Sequence, residues 1–135
     1  MNNLYIIDTH TLLWYLDADP RLGTTARQIL HDPTIRALLP AIVLAEALFI
    51  LERKPLLYKV TITDVLQRVA SDLRITIIAL DQTVVTKTLV CQAIQEMHDR
   101  QIVATALLAQ ANDVQVAVLT KDENIQNSSL VQTIW

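Results

Sequence analysis

Four acidic residues stand where an acid needs a reason. Asp8 directly follows the apolar run 4–7, and Asp122 follows the apolar run 114–119 in the block LTKDE. Glu46 is the single polar side chain within 41–51, and Asp99 opens a helical stretch in MHDRQIVATA. Each has an ordinary explanation. Asp8 and Asp122 suit helix caps or turns, and Asp99 in a first helical turn meets the helix dipole favourably. Glu46 is harder to explain. Its helix reads as apolar all round and therefore buried, and an ionised carboxylate there is costly unless it is paired or bound to metal. The plainer alternatives are that the helix turns Glu46 onto a solvent strip or pairs it with an arginine.

The set says more than its members. Carboxylates brought together repel one another and need a cation between them. Mg²⁺ takes oxygen donors, keeps several waters and is held by only a few carboxylates. Two such ions about 4 Å apart can activate a water and stabilise the leaving oxygen of a phosphodiester. The same ions let a chain of net charge −3 meet a phosphate backbone without being basic itself.

The elements that must position these acids follow from the spacing of apolar residues. A strand over 4–7 gives way at Thr9 to a helix with Leu12, Leu13 and Leu16 on one face and Trp14 and Tyr15 beside it. That helix stops near 19–20, and Thr24 or Thr25 caps a second one reaching 32–33. A strand over 35–39 follows. Pro40 suits the first turn of the helix that carries Glu46 and ends at 53–55. The pattern continues with a helix over 65–72, a strand over 75–80, helices over 81–96 and 99–112, and strands over 114–119 and 131–135. Strands alternating with helices predict an α/β fold, a three-layer α/β/α sandwich on a mainly parallel sheet of four to five strands. One domain over 1–135 suits this length. Ligands of such sheets sit beyond the carboxyl ends of the strands at the switch in strand order, where Asp8 and Asp122 fall.

Composition removes other classes. With 52% hydrophobic and 19% charged residues, the chain is not disordered. One glycine excludes a glycine-rich phosphate loop, and one cysteine, Cys91, excludes a disulfide framework and a zinc site. The run 41–51 is too short to span a bilayer, which takes about 20 residues, and MNNLYIIDTH has no basic start of a signal peptide. A cytoplasmic protein without membrane contact is expected. His10, His31 and His98 show no ligand spacing, and Ser128 and Ser129 have no histidine–aspartate pattern. Arg53, Lys54, Arg100 and Lys121 could meet phosphate, although solvated helix ends explain them equally.

Four blocks in order, YIIDTHTLLW (5–14), PAIVLAE (40–46), HDRQIVATA (98–106) and LTKDENI (119–125), resemble the PIN-domain nucleases and most of all the VapC-type toxins of toxin–antitoxin pairs. The resemblance spans nearly the whole chain. It implies a PIN-like sandwich and Mg²⁺- or Mn²⁺-dependent endoribonuclease activity that leaves a 5′-phosphate and a 3′-hydroxyl. It carries the family's acidic quartet onto Asp8, Glu46, Asp99 and Asp122, as catalytic and metal-binding residues. Nearby hydroxyl positions fall on Thr9 and Thr120, and Arg100 could support the site. It also implies an RNA substrate, a cognate antitoxin and a homodimer. Separately, 52% hydrophobic residues is more apolar material than a domain of this size readily hides, so Trp14, Tyr15 and Leu57 are expected on a partner surface. The chain departs from the family in the long connection LLAQANDVQVAVLTK (107–121), where Asp113 competes with Asp122 if the strand is placed differently. It also carries Pro40 where many relatives have serine. The alternatives are a non-catalytic α/β regulatory module responding to Mg²⁺ or phosphate, or a degenerate PIN domain that binds RNA without cutting it.

Overall fold

Short β-branched and apolar runs form the strands, and the polar or capping residues after each run start the helices. The computed structural model describes residues 3–110 and 114–135; Asp113 and the end of the expected helix at 112 lie outside the described residues. The strands are β1 (Asn3–Ile7), β2 (Arg36–Pro40), β3 (Ile75–Ile78), β4 (Gln115–Leu119) and β5 (Gln132–Ile134). They pair in the order β3-β2-β1-β4-β5, and every pairing is parallel. Helices α1 (Thr9–Leu16), α2 (Thr24–His31), α3 (Ala41–Arg53), α4 (Ile62–Ser71), α5 (Gln82–Lys87), α6 (Met97–Ala109) and α7 (Glu123–Ser128) complete a three-layer α/β/α sandwich. The core runs through Ile6, Ile7, Leu39, Val118 and Leu119 of the central strands and Leu12, Val43, Ala47 and Ile102 of the helices around them. No helix among the described residues is long and apolar enough to cross a membrane.

The central strand pair sets where two of the acids emerge. β1 and β4 lie side by side with Ile7 opposite Leu119, although they come from distant parts of the chain. After β1 the chain builds outward through β2 and β3, then returns to the other side of β1 for β4. The switch in strand order therefore falls between β1 and β4.

Four expectations are corrected. Pro40 is not in the first helical turn. It ends β2 opposite Ile78 and caps α3 at φ −58°, ψ 136°, because the residue before a proline is held extended and carries the strand up to it. The single helix over 81–96 breaks into α5, a 3₁₀ turn at Thr88–Cys91 and a non-helical approach to α6. Val84, Val85, Thr86, Thr88 and Val90 are β-branched and poor helix formers, and the Thr88 hydroxyl donates to Val85 O at 2.6 Å.

The Glu46 helix is not buried all round. Val43, Ala47 and Leu51 form its inward stripe, while Phe49 is 54% exposed. Trp14 is likewise not on a partner surface: it is buried, packed edge-on to Trp135 at 5.7 Å. Tyr15 is half-buried and Leu57 is exposed. Exposed apolar side chains stand on α3, α4 and the turn between them, at Phe49, Leu56, Leu57 and Leu66, and also around β3 and α5, at Ile77, Leu80, Val85 and Leu89.

Arg74 ties the far side of the sheet together. Its guanidinium forms a bidentate pair with Asp72, and its Nη1 donates to Leu30 O at 2.7 Å and to Asp32 O at 2.8 Å. Two carbonyls at the end of α2 are thereby satisfied by one charge. Arg74→Met should lower unfolding free energy in urea by about 2–3 kcal/mol, since hydrogen bonds to charged groups contribute about 1.5–3 kcal/mol each. An unchanged urea midpoint would show the clamp to be idle.

Candidate acidic site at the carboxyl edge

Asp8 enters the site because β1 ends at Ile7 and α1 begins at Thr9. It is the N-cap of α1, and its Oδ1 accepts from the Thr9 N–H at 2.7 Å. Its Oδ2 accepts from the Thr120 hydroxyl at 2.5 Å. Asp122 reaches the same place from β4. It caps α7 through Oδ1, which accepts from the Ile125 N–H at 3.1 Å, and its own N–H donates to Thr120 Oγ1 at 2.9 Å. The fully buried Thr120 hydroxyl thus joins the ends of the two central strands. Capping and a site role coexist in both aspartates, because a cap uses one carboxylate oxygen as an acceptor and leaves other lone pairs.

Glu46 projects from the middle of α3, where the Thr9 hydroxyl donates to its Oε2 at 2.9 Å. Its side chain is one-third exposed, so neither full burial nor an arginine partner describes it. Asp99 stands in the first turn of α6 and is 9% exposed. No described residue hydrogen-bonds its carboxyl group. Burial pushes its pKa up to about 7, reinforced by repulsion from Asp122, Glu96, Asp8 and Glu46. Asp8 is also raised, chiefly by burial, with the Thr120 and Thr9 hydrogen bonds opposing. The four acids of the sequence are therefore in electrostatic contact at one edge of the sheet, at the β1/β4 switch.

Glu96 was not anticipated. It caps α6, accepting from the Asp99 N–H at 2.8 Å, and its Oε1 lies 3.7 Å from His98 Nδ1. His98 is also 3.8 Å from Glu46 Oε2. The signal was a capping residue three positions before Asp99, hidden because the expected helix over 81–96 absorbed it. Arg100 points elsewhere: its guanidinium donates to Ile94 O and to Gln92 O, fixing the approach to α6.

The donor set suits a hard divalent ion. Every candidate ligand is a carboxylate oxygen, and among the described residues none of the four acids has a lysine or arginine within ion-pair distance. Asp122 Oδ2, Glu46 Oε1 and both oxygens of Asp99 remain uncommitted to hydrogen bonds among those residues. As placed, no three described histidine, cysteine or acidic side chains already enclose one ion. The charge and the free lone pairs, rather than a closed cage, favour the ion.

Thr120→Val should be costly out of proportion to its size. It deprives the buried Asp8 carboxylate of a donor and the Asp122 N–H of an acceptor. Removing one partner of a buried polar group costs about 1–3 kcal/mol. Thermal unfolding in chelator checks this, and a midpoint equal to the wild type would remove Thr120 as the bridge.

Beside the acids, Asp8 and Asp122 share a cleft of about 140 Å³ with His10, Thr11, Lys121 and Trp135.

Comparison with known proteins supports the fold. The chain is similar in fold to the PIN domain of RRP44 from T. brucei, with a TM-score of 0.53 and 15% sequence identity; the match covers 98% of this chain and 76% of that one. No curated protein matches the chain. The family model for the PIN domain matches residues 5–128, which takes in β1, β4 and all four acids. With the order of the sheet, the switch between its central strands and the family match in accord, the chain belongs to the PIN domain family.

Proposed function

We propose that this protein is a metal-dependent endoribonuclease and the toxin of a toxin–antitoxin pair. PIN domains are typically nucleases, and PIN nucleases generally use divalent ions. One observation carries the reading to this chain: four acids at the β1/β4 switch without a lysine or arginine partner among the described residues, with Asp99 held to a pKa of about 7 by burial and by its neighbours. Asp8, Glu46, Asp99 and Asp122 are the proposed ligands, with Mg²⁺ the best match to their oxygens and Mn²⁺ a substitute. A bound ion would supply charge neutralisation, polarise water and phosphate, and stabilise the leaving oxygen.

The chain's own residues do the positioning. The Thr9 N–H and Thr120 hydroxyl fix the plane of the Asp8 carboxylate, while the Thr9 hydroxyl donates to Glu46. Asp122 is held by its cap on α7 with Oδ2 free. Rigid first and second neighbours of this kind set ligand geometry. Arg100 supports the site indirectly by holding the chain that leads into Asp99.

One domain over 1–135, a cytoplasmic setting, an antitoxin partner and a homodimer belong to the same proposal. The exposed large apolar side chains, Phe49, Leu56, Leu57 and Leu66 among them, support a protein partner, since exposed apolar surface marks interaction sites when it is extensive. The test is expression with and without the product of the neighbouring reading frame, followed by mapping of RNA ends. New 5′-phosphate ends that depend on divalent metal and vanish with the neighbour support the whole reading. Intact RNA with every divalent ion would favour the non-catalytic alternatives.

A further inference from the structure

The cleft beside Asp8 and Asp122 holds cationic and aromatic groups that the acid chemistry does not use. Lys121 Nζ lies 4.7 Å from the Trp14 ring centroid, and no described carboxylate pairs with it. The His10 ring lies 5.4 Å from Trp14 on the same side of the site. Trp135, which lines the cleft, is held from behind in two ways. It stands edge-on to the buried Trp14, and its ring lies on Gly23, the one glycine of the chain. A Cβ on Gly23 would come within 2.7 Å of the indole carbons. Trp135 is therefore a fixed wall rather than a loose side chain, set next to two acids and an unpaired ammonium.

We propose that this cleft holds one nucleotide of single-stranded RNA beside the scissile phosphate, with Trp135 stacking on its base and Lys121 and His10 meeting its phosphate. The identity of the polymer rests on the nuclease reading above. The cleft's size admits the base of one unstacked nucleotide, with its phosphate at the mouth, and excludes a duplex, whose bases stay paired and stacked. Stacking on an aromatic side chain is tolerant of base identity, and a lysine adds a salt-dependent phosphate contact. The pocket thus selects for single strands more than for sequence.

The test is fluorescence anisotropy of a labelled, unstructured RNA oligonucleotide with Ca²⁺ as the divalent ion. Trp135→Leu keeps apolar packing and loses the π-face, and it should weaken binding about 10-fold or more; Trp135→Phe should retain most of it. Gly23→Ala would press on the Trp135 backbone carbon, the atom nearest the new Cβ, as well as on the ring, so it should shift Trp135 and weaken binding while leaving every cleft side chain chemically unchanged. Lys121→Gln should lower the slope of log affinity against log salt by about 0.7. Thermal unfolding of each variant confirms the fold, and Lys121→Gln decides if the Trp135 variants do not fold.

Cleavage of the same oligonucleotide by the wild type in Mg²⁺ separates the two claims. A wild type that cuts RNA but binds it no better than Trp135→Leu overturns the pocket and leaves the nuclease standing. Binding that depends on Trp135 without any cleavage supports the pocket and overturns the nuclease. A wild type that neither binds nor cuts overturns both.

Discussion

Asp8→Asn should abolish RNA cleavage while the metal-free protein unfolds at the same temperature as the wild type or slightly higher. Asparagine is nearly as good a helix cap as aspartate, so its Oδ1 can still take the Thr9 N–H. Its amide can donate to Thr120 Oγ1, which has a second lone pair beside the one used by the Asp122 N–H. The cost is one lost hydrogen bond from the Thr120 hydroxyl, about 1 kcal/mol. Against it stands the removal of a carboxylate whose ionisation burial already opposes. For metal the loss is direct. Groups one shell away from an ion alter affinity or activity by about 10–100-fold, so loss of a ligand charge should cost at least about 100-fold in cleavage. The paired measurement is cleavage in Mg²⁺ and unfolding in chelator. Cleavage at the wild-type rate would leave Asp8 as a cap alone.

Metal-free stability should fall as pH rises from about 5 to 8. Asp99 titrates near 7 in the folded protein and near 3.8 when exposed. Between those values the folded state keeps a proton that the unfolded chain has released. The contribution is therefore fully present below about 3.8 and is lost as pH rises through 7. Asp8, also raised, adds in the same direction. Asp19, Asp32, Asp64 and Asp72 are lowered and act oppositely, but only as pH falls below the usual carboxylate range. The window from 5 to 8 isolates the site. In chelator the unfolding midpoint at pH 5 should exceed that at pH 8 by about 5 °C, and Asp99→Asn should flatten the difference. Saturating Mg²⁺ should reverse the trend, because protons then compete with the ion for the same oxygens. A flat profile in the wild type would show that neither burial nor the neighbouring acids hold Asp99 protonated.

The sheet was legible because each strand is a short apolar run bounded by a capping or turn residue, as at Ile7–Asp8 and Leu119–Thr120. Asp8 and Asp122 stood out for the same reason, and Glu46 because it interrupts an apolar helix; Asp99 reads alone as an ordinary first-turn acid, and its burial depends on neighbours that the sequence does not show. Other features depend on tertiary neighbours. The two faces of α3 look alike in sequence because Phe49 and Ala45, which face out, are as apolar as Val43 and Ala47, which face in. The exposure of Trp14 could not be read locally, since Trp135 covers it from the far end of the chain. The break within 81–96 was weakly signalled by its β-branched residues, yet its place was set by Glu96 capping α6.

The hydrogen bond from Thr120 to Asp8 closes a separation of 112 residues. At translation rates of about 5–20 residues per second, Asp8 and Thr120 are synthesised roughly 6–22 s apart. Until β4 leaves the ribosome, β1 has an open edge, and Asp8 has neither its hydroxyl donor nor its neighbouring Asp122. A growing chain therefore carries only part of the acid cluster until β4 is in place. The pairing of β4 with β1 is thus the folding step that completes the acid cluster, and no earlier segment of the chain can substitute for it.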